Sequence, residues 1–145
     1  NYDIPVYSAN VKEPFGKINK LLIDDFTKGS ILWGIDGDWM VNYIPANTPF
    51  YPTDHCGVLR VDETKMNPHF VMFMLGMAGK QAAFNRSNRA SIDRIKSLTI
   101  PNIPLDVQNM AMTEVEEYET IINEAKARMN LCIEQKKVIL DKYLR

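Results

Sequence analysis

Apolar residues along this chain change their spacing twice. Through the first sixty or so positions they come in short β-branched or aromatic runs bounded by turn residues, which predicts strands over residues 4–9, 21–23, 30–35, 39–44 and 57–61. Between the third and fourth, Asp36-Gly37-Asp38 predicts a tight hairpin connection, with glycine supplying a positive φ. At Asn67 the period becomes helical. Asn67 is a cap, Pro68 fits the first helical position, and Phe70, Phe73, Met74 and Met77 follow at three- and four-residue steps. This helix should run to about Gly79 or slightly beyond. A short helix over 91–97 with Ser91 as its cap, and a last strand over 98–100 ended by Pro101, complete the first region.

The second change comes at Leu105. All 8 prolines and all 7 glycines precede it. Beyond it, Ala111, Val115, Tyr118, Ile122, Ala125, Met129, Cys132, Lys136, Ile139 and Tyr143 alternate at steps of four and three. That is a heptad seam of more than four repeats, interrupted only by the charge of Lys136 and widened by Ile121, Ile133 and Leu140. A helix over 105–145 is a rod of roughly 60 Å, too long to bury such a seam on a domain of about 30 Å. A helix packed partly on its own domain is one reading. A coiled coil with a second helix is the one the seam favours. The expected organisation is an α+β class chain, with a small mixed, mainly antiparallel β domain with short helices over 1–104, then a coiled-coil spacer or dimerisation helix over 105–145.

Composition narrows the class without naming a chemistry. The 145 residues are 46% hydrophobic and 24% charged, which suits a globular domain with a real core. The formal net charge of −1 gives no global sign of nucleic acid, membrane or acidic substrate. Cys56 and Cys132 form no CxxC, so a reduced, cytoplasmic chain is expected. No apolar run reaches membrane-spanning length. The chain opens on Asn1, in what reads as the start of a strand, so we expect a piece of a longer polypeptide.

Candidate chemistry is sparse. Asn67-Pro68-His69-Phe70 approaches the Asn-Pro-Pro-aromatic loop with which amino-group DNA methyltransferases grip a flipped adenine. However, no strand–glycine–helix cofactor unit accompanies it, and Asn-Pro is ordinary helix capping here. Asp36 and Asp38 could pair as catalytic or metal-binding carboxylates, but in a tight turn they read as solvated turn residues. His55 and Cys56 are strand neighbours facing opposite ways, Cys56 to the core and His55 to the surface. No catalytic residue, metal ligand or cofactor is called for. Against this background, residues 80–96 hold Lys80, Arg86, Arg89, Arg94 and Lys96 against Asp93 alone, a local +4. Asn85, Ser87, Asn88 and Ser91 between them suit phosphate oxygens and base edges. A solvated basic face is the plainer alternative. Lys12, Lys17 and Lys20, near Phe15 and Gly16, form a weaker basic group. Trp33 and Trp39 flank the hairpin as core residues or, if exposed, as groups that could stack or wedge at DNA.

The run Phe84-Asn85-Arg86-Ser87-Asn88-Arg89-Ala90-Ser91-Ile92, and then Leu98-Thr99-Ile100-Pro101-Asn102-Ile103-Pro104-Leu105-Asp106-Val107-Gln108 before a long helix, resembles the specificity subunit of type I restriction–modification enzymes. In that family a target recognition domain ends in an Ile-Pro-x-x-Pro-Leu-x-x-Gln segment that launches a spacer helix. Ile4-Pro5-Val6-Tyr7-Ser8-Ala9-Asn10 and Ile31-Leu32-Trp33-Gly34 are similar to its central β region. Asn102 and Ile103 depart from the family's apolar residue and second adjacent proline.

The resemblance implies most of one recognition repeat: a non-catalytic reader of one half of a bipartite double-stranded DNA target. Its spacer helix would pair with that of another repeat or of a homodimer mate. Methyltransferase subunits, which use S-adenosylmethionine, and ATP-dependent restriction subunits would be its partners, with no membrane involved. DNA contacts are then expected from Lys12, Lys17, Arg86, Ser87, Asn88, Arg89, Arg94 and Lys96. Helix pairing is expected through Val115, Tyr118, Ile122, Ala125, Met129, Cys132, Ile139 and Tyr143. The rival readings are the C-terminal specificity part of a fused adenine methyltransferase and a purely structural coiled-coil assembly module.

Overall fold

A computed structural model describes residues 3–144. Six strands and three helices follow one another: β1 (Ile4–Tyr7), β2 (Gly16–Ile18), β3 (Ser30–Gly34), β4 (Val41–Ile44), β5 (Tyr51–Pro52), β6 (Cys56–Leu59), α1 (Pro68–Gln81), α2 (Ile92–Lys96) and α3 (Leu105–Tyr143). The class is α+β, as the patterning predicts. One sheet has the order β2-β1-β5 and the other β4-β3-β6; all pairings are antiparallel except β1 with β5. The chain divides into two compact units, Asn1–Gln108 and Asn109–Arg145.

The central strand β3 is buried along its whole length, and its period of two sends alternate residues into two cores. Ile31 and Trp33 join Val71 and Leu75 of α1, Phe84, Ala90 and Ile95. Leu32 points the other way, to Val11, Ile44, Phe50 and Cys56. Trp33 lies across its strand partner Gly57, where any Cβ would come within 2.1 Å of the indole. The β3–β4 connection spans residues 35–40 and is longer than the tight turn expected, because both strands are shorter than predicted; Gly37 does take the positive φ expected of it, +92°.

Helix α1 starts as its sequence dictates. The Asn67 side-chain oxygen accepts from the backbone N–H of His69 (2.9 Å) and Phe70 (3.1 Å), with Pro68 next in line. Its buried face differs from the one predicted. Phe70, Val71, Leu75 and Gly79 are inside, whereas Phe73 and Met77 are exposed. The helix is apolar almost all round between Phe70 and Gly79, so periodicity cannot choose a face. Trp39 chooses it by packing where a Gly79 Cβ would lie, 2.1 Å from the ring, and donating from Nε1 to the Gly76 carbonyl at 2.9 Å. Gly79 is therefore inside the helix, which continues to Gln81.

Two predicted strands do not form. Residues 21–23 find no partner strand; Leu21 and Leu22 are exposed and only Ile23 packs on the second core. Residues 98–100 also stay unpaired. The Leu98 N–H bonds back to the Ile95 carbonyl at 3.1 Å, and Leu98 and Ile100 contribute side chains to the first core instead. Strands β2 and β5, three and two residues long, were not predicted. Of the strand expected to open the chain, Asn1 and Tyr2 lie outside the described residues.

Gln108, in the first turn of α3, closes the compact unit. It is fully buried, accepts from the Asn67 N–H at 2.9 Å and donates to the carbonyls of Ile103 (2.8 Å) and Lys65 (3.3 Å). One amide thus satisfies backbone groups in the segment just before α1 and at the proline-rich junction. Beyond Val115, α3 is exposed at every described residue, including Tyr118, Ile122, Ala125, Met129, Cys132, Lys136, Ile139 and Tyr143 on the seam; Val115 itself is half-buried. Cys56 and Cys132 are both free thiols. No helix among the described residues is long and apolar enough to cross a membrane.

Candidate nucleic-acid interface

The basic loop between α1 and α2 is held at both ends by core residues. Phe84 is buried under Trp39, ring centroids 5.2 Å apart. Ala90 is fixed through both backbone groups: its N–H donates to the Ile35 carbonyl at 2.8 Å, and its carbonyl accepts from Trp33 Nε1 at 2.9 Å. Trp33 is a buried core residue, whereas Trp39 is half-buried, its ring against Phe84 and its indole N–H on the Gly76 carbonyl.

Between these anchors the loop organises itself with its own polar side chains. Asn85 accepts from the N–H groups of Ser87 (2.8 Å) and Asn88 (2.9 Å), while Asn85 and Asn88 exchange backbone hydrogen bonds. Asn88 donates to the carbonyls of Ala82 (2.9 Å) and Ala83 (3.1 Å), and its oxygen accepts from Arg94 at 2.5 Å. Ala83 sits at φ +54°, a left-handed conformation that L-residues seldom adopt. The Arg94 guanidinium lies 4.8 Å above the Phe84 ring and also donates to the Arg89 carbonyl at 2.9 Å.

The candidate DNA-binding residues thus separate into two kinds. Arg86 and Ser87 stand exposed at the loop tip, and Lys96 is exposed at the end of α2. Asn88 and Arg94 are spent largely on shaping the loop. Ser91 occupies the cap position of α2 without a side-chain cap bond.

Arg89 reaches sideways to the hairpin. One of its terminal nitrogens is 3.6 Å from Asp36 Oδ2. The same carboxylate receives His55 Nδ1 at 2.9 and 3.0 Å. Asp36 is therefore an ion-pairing residue and not the solvated turn residue expected from sequence. Its partners lie 19 and 53 positions away, so no local spacing signals the cluster. His55 is partly exposed and Cys56 buried, the two facing as expected. Burial pushes the Cys56 thiol up to about 12, the opposite of an activated nucleophile.

Lys12 follows a turn in which Asn10 Oδ1 accepts its N–H at 3.0 Å. The neighbouring Val11 is buried, and its carbonyl accepts from Asn42 at 2.8 Å. A Cβ on Gly37 would lie 3.6 Å from Ala9, so the segment carrying Lys12 and the loop carrying Arg89 both border the β3–β4 hairpin. Lys17 lies in the other sheet, exposed in β2 opposite Pro5. No group of three or more metal-ligating residues occurs among the described residues.

No family model and no solved structure matches the chain. Curated proteins do. The specificity subunit of the type I restriction enzyme MpnII of Mycoplasma pneumoniae is 26% identical over 141 residues, 96% of this chain and 42% of the relative. Two candidate type I specificity subunits of the same organism are 25% identical over 127 residues (86% of this chain, 34% of the relative) and 26% identical over 141 residues (96% and 56%). The chain spans between about a third and just over half of the length of these relatives. The junction that carried the resemblance in the sequence is the segment that Gln108 locks, and the chain is similar, over nearly all of its length, to the specificity subunits of type I restriction enzymes.

Proposed function

We propose that this chain is a DNA sequence-specificity module of a type I restriction–modification system. The compact unit reads one half of a bipartite target, and α3 is the spacer helix that sets it at a fixed distance from a second reading head. The module is not an enzyme and needs no cofactor of its own. It works in the cytoplasm by positioning methyltransferase subunits, with restriction subunits joining the assembly. The observation that carries this reading is the basic loop, internally braced by Asn85, Asn88 and Arg94 and anchored by Phe84 and Ala90, while Arg86, Ser87, Arg89 and Lys96 stay exposed. A pre-shaped cationic loop loses little conformational entropy on meeting a phosphate backbone. Similarity to named specificity subunits and the exposed seam of α3 support the same reading.

Binding of a randomised duplex pool, followed as a function of salt, tests it. Five cations on phosphates give a slope of log affinity against log salt of about −4 to −5. Sequencing the retained duplexes should yield one half-site. A slope near zero, or a retained pool as random as the input, rejects the proposal.

A further inference from the structure

Asp36 is out of place in a surface built to meet DNA. A carboxylate beside phosphates repels them, yet this one stands at the hairpin tip next to the basic loop, with 26% of its side chain exposed. Three chain segments converge on it. The hairpin supplies the anion, the loop supplies Arg89 at 3.6 Å, and the turn before β6 supplies His55 at 2.9 Å. Arg89 and His55 are themselves 56% and 46% exposed, so both reach solvent while sharing one partner. The other charged group facing His55 is Asp54, whose carboxylate lies 3.6 Å from Nε2 and is itself 89% exposed.

We propose that Asp36, His55 and Arg89 form a proton-dependent phosphodiester-binding site at the edge of the interface, in which Asp36 is the positioning residue that holds Arg89 toward the duplex. The inference rests on the DNA-reading proposal above. With His55 neutral, the Asp36–Arg89 pair carries no net charge, and Arg89 contributes an oriented donor rather than a free cation. Protonation of His55 raises the charge of the cluster by one, from −1 to 0 with Asp54 counted, with Nδ1 facing Asp36 and Nε2 facing Asp54, so it relieves repulsion of a phosphate and leaves Arg89 as the donor. Histidine is the side chain whose ordinary titration falls between pH 5 and 8, and the chain has just two, His55 and His69. His69 packs at a tilt against Tyr43, ring centroids 4.3 Å apart, and serves as the internal control.

The experiment measures binding of the full chain to a randomised duplex pool at pH 5.5 and 7.5 across a salt series. The wild-type chain should bind roughly threefold to tenfold more tightly at pH 5.5, with a salt slope steeper by about 0.9, one further phosphate neutralised. His55→Asn should abolish the difference, and His69→Asn should keep it. Asp36→Asn removes a negative charge, so a charge-only account predicts tighter binding at pH 7.5. Positioning predicts weaker binding, restored in part by Asp36→Glu.

His55 is partly exposed, so its substitution keeps the test valid even if Asp36→Asn does not fold. Duplex binding with an His55→Asn profile like wild type, or tighter binding by folded Asp36→Asn, overturns the site and leaves the DNA-reading proposal standing. Absence of wild-type binding at either pH overturns both.

Discussion

The unit Asn1–Gln108 and the helix that follows use apolar residues in opposite ways. In the compact unit the large side chains of the first core have counterparts of matching shape: Trp33 over Gly57, Trp39 over Gly79, Phe84 under both Trp39 and Arg94. In α3 the apolar residues are regular in sequence and exposed, from Tyr118 through Ile122 and Met129 to Tyr143. One region encodes its partners within the chain, by shape. The other carries a periodic apolar face that stays exposed along the described helix beyond Val115 and has the spacing that suits pairing with another helix, as proposed above. Substitution should therefore cost folding in the first and association in the second.

The largest loss of stability should follow Trp33→Ala. It empties the centre of the first core and strips the Ala90 carbonyl of its donor, for about 3–5 kcal/mol in denaturant melts. Hydrogen exchange across residues 84–90 should quicken in parallel. Gln108→Ala should cost about 1–3 kcal/mol, because it removes the side-chain amide that bonds the Asn67 N–H and the Ile103 carbonyl in their partly buried surroundings. If that variant melts like wild type, the junction is not part of the compact unit's fabric.

Paired charges on the helix sharpen the contrast. Ile122→Asp with Met129→Asp should shift the melt of the compact unit by less than about 0.5 kcal/mol. Association with a second helix should be lost, seen as monomers in sedimentation of any sample in which the unmodified chain associates. A large drop in the unit's own stability would erase the distinction between the two regions.

The last effect is electrostatic and confined to alkaline pH. Burial lifts the Cys56 thiol from an ordinary 9.0 to about 12. Between those values the unfolded chain ionises its thiol while the folded chain keeps the proton, so stability should fall as pH rises above about 9. Below that it should not depend on this group. Tyr7 and Tyr43, also raised mainly by burial, act in the same direction at higher pH. Cys56→Ala should flatten the alkaline decline relative to wild type, and an identical pH curve would show that the thiol ionises freely in the folded state.

The parts of the fold that depend on neighbouring residues were legible in the sequence. Asn67 and Pro68 announce the start of α1 because capping needs only the next three residues. The span of α3 follows from its heptads and from the absence of glycine and proline, and the positive φ between β3 and β4 follows from Gly37. The loop's cations stand out by composition alone, as does the proline-to-glutamine junction by its likeness to a family. Pairing and facing were not legible. Leu21 and Leu22 have strand-forming composition, but a strand exists only where another offers hydrogen bonds, and none does. The buried face of α1 was settled by Trp39, a residue forty positions upstream of the glycine that admits it. The division of the basic residues into exposed cations at the tip and braces within the loop came from Phe84, Asn88 and Asp36, contacts whose free energy depends on distances in space that no local spacing encodes. Sequence determined where the chain turns, coils and concentrates charge, since those are short-range effects of single residues on their own backbone. Tertiary structure decided which apolar faces meet and which cations brace the loop, since both are outcomes of packing among segments far apart along the chain.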